Sequence, residues 1–183
     1  LMITSMVKIE TANTSDQTTR SVLDKLHGRI GTLSNLYTML YSNRESGAIH
    51  LDRYLEEIIQ TVHTTYFSND RQISITTNLE HFSVDFKKAS SIGLIINELL
   101  TNAMKYAFSD RAQGKIEVSM INNNNQIEIS VRNNGIPLPD NFCFEKSQGM
   151  GLLLVSQLTQ QLGGHAECFN TDMITFRTIF PLE

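Results

Sequence analysis

The sequence predicts an α+β protein in which a helical hairpin precedes a two-layer α/β sandwich, and three patterns carry that reading. Leu23, Leu26, Ile30, Leu33, Tyr37 and Leu40 recur at alternating three- and four-residue steps, the a/d rhythm of a helix seam. Ile116, Val118 and Met120, then Ile127, Ile129 and Val131, alternate on either side of four consecutive asparagines, Asn122 to Asn125, which marks an antiparallel hairpin. Between these, Ile92, Ile95, Leu99 and Ala103, flanked by Ile96, Leu100, Met104 and Ala107, repeat at the spacing of a buried helix. The break between the two parts falls near Ser42 to Gly47, giving a helical stem at 1–44 and a sandwich at 45–183.

Each element has a local reason. Met2, Met6 and Ile9 form the apolar side of a short first helix that Thr11 to Thr14 closes, and Ser15 or Asp16 caps the long helix that follows. One apolar seam on a two-helix hairpin is best buried by a second copy, as a four-helix bundle. His50 to Val62, with Leu51, Leu55, Ile58 and Ile59 inward, predicts a third helix. Ile73 to Leu79 alternates as a strand, Phe82 to Phe86 reads as a short return, and the buried helix starts near Lys88 to Ser91. A helix from Gly151 to Leu162 is stopped by Gly163-Gly164, and a last hairpin runs from Ala166 to Phe180.

Composition narrows the function. The chain has 183 residues, is 40% hydrophobic and carries fifteen basic against nineteen acidic side chains, a net charge of −4. That length supports a core of its own, and the charge argues against nucleic acid as a main partner. No apolar run reaches membrane-spanning length, so these residues are expected to make no membrane contact and to work in the cytoplasm. Cys143 and Cys168 match no metal-ligand spacing and read as free thiols.

Three segments carry chemistry. Along Leu94 to Phe108, Glu98, Asn102 and Lys105 fall one turn apart, so a carboxylate, an amide oxygen and an ammonium share one stripe of a buried helix. Such a trio suits proton transfer, a magnesium ligand and a phosphate contact. Asn133-Asn134-Gly135-Ile136-Pro137 then forms a stiff turn after a strand, and Gly149-Met150-Gly151-Leu152 places bare backbone amides before a helix, where a phosphate can bind. In this order the segments resemble the N, G1 and G2 boxes of the GHKL ATPase superfamily, which includes DNA gyrase, histidine kinase and MutL relatives. The Asn97-Glu98-Leu99-x-x-Asn102-Ala103-x-Lys105-Tyr106 run looks like sensor histidine kinases of the HisKA_2/HWE type, and Arg29-Ile30-x-x-Leu33 is similar to the second stem helix of that family.

The resemblance implies a Bergerat-type sandwich, ATP and magnesium as cofactors, and a stem-mediated homodimer that passes phosphate to a response-regulator receiver domain. It assigns Glu98 to the catalytic general-base or water-orienting position, Asn102 as the magnesium ligand, Lys105 to the phosphates and Tyr106, Asn133 and Gly135 to the adenine pocket. Gly149, Gly151 and Leu152 would hold the triphosphate under a short lid at Asp140 to Gln148. The family's phosphate-accepting histidine is expected ahead of Leu1, with His27 the best candidate inside the chain. Three departures affect the adenine wall: Asn133 stands where the family has aspartate, Pro137 replaces a glycine, and Met173-Ile174 replaces Gly-Thr. Together they are expected to weaken binding by on the order of 2 to 4 kcal/mol, about 30- to 1000-fold. Two alternatives follow: a degenerate kinase serving as a scaffold without ATP, and an anti-sigma-factor-like serine kinase.

Overall fold

The computed structural model describes residues 2–42, 48–66, 72–139, 142 and 150–182. Helices α1 (Met2–Asn13) and α2 (Gln17–Ser42) pack as the expected hairpin. Asp16 caps α2: the Thr19 backbone N–H and hydroxyl both donate to its Oδ2, at 2.7 and 2.6 Å. Those bonds, the hydroxyl's first, hold the Asp16 carboxyl below the usual carboxylate range.

The sandwich follows. A short strand β1 (Ile49–His50) leads into α3 (Leu51–Tyr66), then come β2 (Gln72–Leu79), β3 (Ser83–Val84) and α4 (Phe86–Asn102), which ends in a π-helical turn at Ala103–Ala107. Asp85 caps α4 through Lys88 N–H at 2.9 Å. The rest is β4 (Gln113–Asn123), β5 (Gln126–Asn133), α5 (Met150–Gln161), β6 (His165–Asn170) and β7 (Ile174–Pro181). The main sheet has the order β2-β4-β5-β7-β6, with β2 parallel to β4 and every other pair antiparallel. The four-asparagine turn is the one expected, with Asn124 and Asn125 at φ 52° and 66°, the left-handed values a tight hairpin needs and asparagine tolerates. Gly163, at φ 77°, stops α5.

Helices α3, α4 and α5 bury their apolar sides in one core with the sheet's inner face, where Ile116, Val118, Met120, Ile127, Ile129 and Val131 are at most 1% exposed. The expected return strand at Phe82 to Phe86 is shorter and pairs elsewhere: β3 lies antiparallel to β1, Val84 opposite Ile49, and β2 takes β4 as its neighbour. A strand, a helix and a parallel strand form a crossover, which leaves β3 free to close the entry to α3.

The stem helix departs from a plain seam. Met6, Ile9, Val22 and Leu26 are 62%, 60%, 54% and 43% exposed, while Ile30 and Leu33 are half-buried. The side chains of Tyr37 and Leu40 lie outside the described set. Helix α2 also packs against α4 and α3: Thr32 is buried, and its carbonyl accepts a hydrogen bond from the Tyr54 hydroxyl at 3.2 Å. Burial pushes the Tyr54 phenol well above its ordinary pKa.

Candidate functional site

The site lies where the end of α4 meets the β5 turn and the start of α5. Glu98 is 2% exposed, and its Oε1 accepts a hydrogen bond from Arg29 Nε of the stem helix at 2.8 Å. Its Oε2 faces Gly151, where an added Cβ would stand 2.6 Å away, and the same Cβ would meet the Asn102 amide at 3.4 and 3.7 Å. Glycine at this position lets α5 begin against α4, so a carboxylate, an amide and the start of α5 converge.

Past Asn102 the helix widens. The five-residue π-turn, Ala103–Ala107, carries both Lys105 and Tyr106. Tyr106 ends up 59% exposed on the rim of a cavity, whereas Lys105 turns to the other side, its ammonium 5.7 Å from the centre of the Tyr66 ring. The carbonyl of Ala107 accepts the Ile136 N–H at 2.9 Å, and an added Cβ at Gly135 would fall 2.2 Å from that same oxygen. Only glycine allows the β5 turn to seat this closely on α4.

The cavity has a volume of about 360 Å³. Asn102, Ala103, Tyr106 and Ala107 line it from the helix, Asn133, Ile136, Pro137 and Leu138 from β5 and its turn, Gly151 and Leu152 from α5, and Ile174 and Phe176 from β7. Phe142 stacks edge-on against Phe176 at 6.5 Å, and Leu138 is held to Asn170 by two hydrogen bonds of 3.2 and 2.9 Å. Asn133 and Ile174 sit opposite one another in the β5–β7 register, which explains how residues distant in sequence share a wall.

Of the residues singled out from sequence, Asn102, Tyr106, Asn133, Gly151 and Leu152 line one cavity, Gly135 lies in the turn beside it, and Glu98 meets Gly151 from the second cleft. Lys105 lies with Glu98 on a second cleft of about 470 Å³ between α2, α3 and α4 that His27 and Asn97 also line. Gly149, Cys143 and the lid at Asp140 to Gln148, apart from Phe142, lie outside the described residues. Arg29, Ile136, Leu138 and Phe176 were given no role in the site from sequence.

The donor set fits magnesium in chemical type, a hard amide oxygen beside a carboxylate. Among the described residues no group of three His, Cys, Asp or Glu could hold a metal ion. The cavity's largely apolar wall suits a planar base.

The sequence model for histidine kinase-, DNA gyrase B- and HSP90-like ATPases matches residues 87–183, and that for a histidine kinase segment, HisKA_2, matches residues 1–66. The chain belongs to the histidine kinase-like ATPase family. It is 28% identical over 167 residues to blue-light-activated histidine kinase 2 of Erythrobacter litoralis, covering 88% of this chain and 47% of that protein. It is 24% identical over 157 residues to the sensor histidine kinase PdtaS of Mycobacterium tuberculosis, covering 85% of this chain and 31% of that one. The chain thus spans about half or less of the curated relatives it matches. The solved histidine kinase domain of the Erythrobacter litoralis EL346 blue-light-activated kinase superposes with a TM-score of 0.80 at 26% identity, covering 99% of this chain and 84% of that one. Acinetobacter baumannii AdeS, at 13% identity and a TM-score of 0.62, shares the fold. Helical hairpin and mixed sandwich together are the histidine kinase arrangement. No helix among the described residues is long and apolar enough to cross a membrane.

Proposed function

We propose that this chain is the catalytic portion of a two-component sensor histidine kinase, which takes Mg-ATP and moves its γ-phosphoryl group to a histidine and on to the aspartate of a response-regulator receiver domain. The observation that carries this reading is the packing of Gly151 against both Glu98 and Asn102, with Asn102 and Gly151 lining a base-sized, largely apolar cavity. Asn102 offers magnesium its amide oxygen, and Ile136, Leu138, Ile174 and Phe176 take the base. The first amides of α5, at the positive end of the helix, favour phosphate. Lys105 can leave Tyr66 for the phosphates, because its charge rides on a flexible four-carbon stem. When bound, the nucleotide supplies the phosphoryl group and the metal screens its charge.

Glu98 acts as general base through Oε2, since Arg29 holds Oε1 and keeps the carboxylate fixed. Residues 1–44 form the dimerisation stem and 45–183 the ATP-binding domain, working in the cytoplasm where ATP and receiver domains are found. The degenerate-scaffold reading has its own support: Asn133, Pro137 and Ile174 all depart from the family pattern on one wall. Calorimetry separates the two. The kinase reading expects heat from Mg-ATP with a weak, high-micromolar constant, and loss of the magnesium-dependent part in Asn102→Ala. No heat and no thermal stabilisation at millimolar nucleotide, with a receiver domain still docking, would leave the scaffold.

A further inference from the structure

We propose that Lys25 of the stem helix belongs to the nucleotide site and that its ammonium takes the phosphate chain, so that stem and sandwich build the site together. The inference rests on the nucleotide reading above and adds a residue to it. Lys25 stands one turn ahead of Gly28 and Arg29, on the face of α2 that docks against α4. At that crossing an added Cβ on Gly28 would lie 3.7 Å from Asn97 Nδ2, and Arg29 holds Glu98 at 2.8 Å. One turn further back, Lys25 lines both hollows: the cavity of Asn102 and Gly151, and the cleft of Glu98 and Lys105. No other described residue lines both.

Among the described residues Lys25 is the one charged side chain lining the cavity, whose remaining wall is amide, phenol, backbone and hydrocarbon. A ligand with an apolar body and an anionic chain therefore has one favoured placement, its anion at Lys25, where low-dielectric walls leave the charge weakly screened. The lysine is half-buried and has no ion pair or hydrogen bond among the described residues. Its acidic neighbours do not compete: Glu98 is engaged by Arg29, and Asp24 is exposed and lines only the second cleft. Lys25 already lines the cavity, whereas Lys105 has to leave the Tyr66 ring to reach it. Because Lys25 rides on α2, a shift of the stem against the sandwich carries this charge with it.

Calorimetric titration with Mg-ATP at low and at physiological ionic strength tests this on the unmodified chain, Lys25→Met and Lys25→Arg. Methionine keeps an unbranched side chain and removes the charge, so Lys25→Met should weaken binding by about fivefold or more and make it less sensitive to salt. Lys25→Arg keeps the charge and should retain most of the affinity. A lysine that serves only packing would not separate these two variants, and thermal melts of the free chains should be alike. A smaller loss in Lys25→Met, or a loss that Lys25→Arg shares in full, would overturn the assignment of Lys25 while leaving the nucleotide reading intact. Failure of the unmodified chain to bind Mg-ATP at millimolar concentration would overturn both.

Discussion

Glu98 and Gly151 are in contact across the helix boundary: a Cβ on Gly151 would stand 2.6 Å from Glu98 Oε2. A carboxylate at the free end of a side chain usually gives way to such an intrusion. This one is 2% exposed and held at its other oxygen by Arg29, so yielding breaks a buried ion pair. Gly151→Ala should therefore cost about 1 to 3 kcal/mol of stability, as overpacking does, and weaken Mg-nucleotide binding by about tenfold or more. Thermal melts and calorimetry measure the two effects. Unchanged affinity would show that the start of α5 does not shape the site.

Removing the other half of that contact has a different signature. Arg29→Met leaves the Glu98 carboxylate buried without its cation, which should destabilise the chain by about 2 to 4 kcal/mol, the lower end being favoured because Arg29 is itself 20% exposed. Adding Glu98→Gln removes the stranded charge and should recover much of the loss, leaving a coupling energy that a double-mutant cycle reads directly. Additive losses would mean the pair contributes little.

Much of the fold was legible because it is written in local patterns. The strand alternation around Asn122 to Asn125, the glycine stop at Gly163 and the Asp16 cap each depend on residues a few positions apart, and each is found where expected. The cavity lining was legible at Asn102, Tyr106, Asn133, Gly151 and Leu152, which the motifs named and the fold brings together. Helical spacing also put Lys105 on the side of Glu98, where both line the second cleft, but it could not tell that Asn102 would face a different cavity, because the walls of each are supplied by elements distant in sequence. Arg29 and Glu98 lie 69 positions apart, so their pairing arises from the way α2 crosses α4. The seam rhythm of α2 likewise concealed a helix that also packs onto the sandwich, because a three-four repeat states which side is apolar and not which partner covers it.

The α2 cap should be visible in the pH dependence of stability. Asp16 has a folded pKa below its ordinary value of 3.8, chiefly through the Thr19 hydroxyl and backbone N–H. A carboxyl lowered by folding adds stability that is present above the unfolded value and is lost as pH falls through the folded one. The difference in melting temperature between the chain and Asp16→Asn should therefore be constant near neutrality and change only below about pH 4. A difference that shifts around pH 6 to 7 would point to a histidine instead.

The exposed apolar side chains of the stem give the last prediction. Met6, Ile9, Val22 and Leu26 together present more hydrocarbon than a solitary hairpin needs to leave in water, and all belong to α1 and α2, away from the Gly28, Arg29 and Thr32 contacts that dock α2 on the sandwich. A second copy covering them would make a four-helix bundle. Leu26, at 43% exposed, is the residue to change, because Leu33 is half-buried and its loss would confuse assembly with folding. Light scattering should find a dimer at tens of micromolar, roughly the range in which stable dimers persist, and Leu26→Asp should give a folded monomer with its melting profile otherwise retained. A monomer before any substitution would mean that these side chains serve another partner, and the stem would lose its dimerisation role.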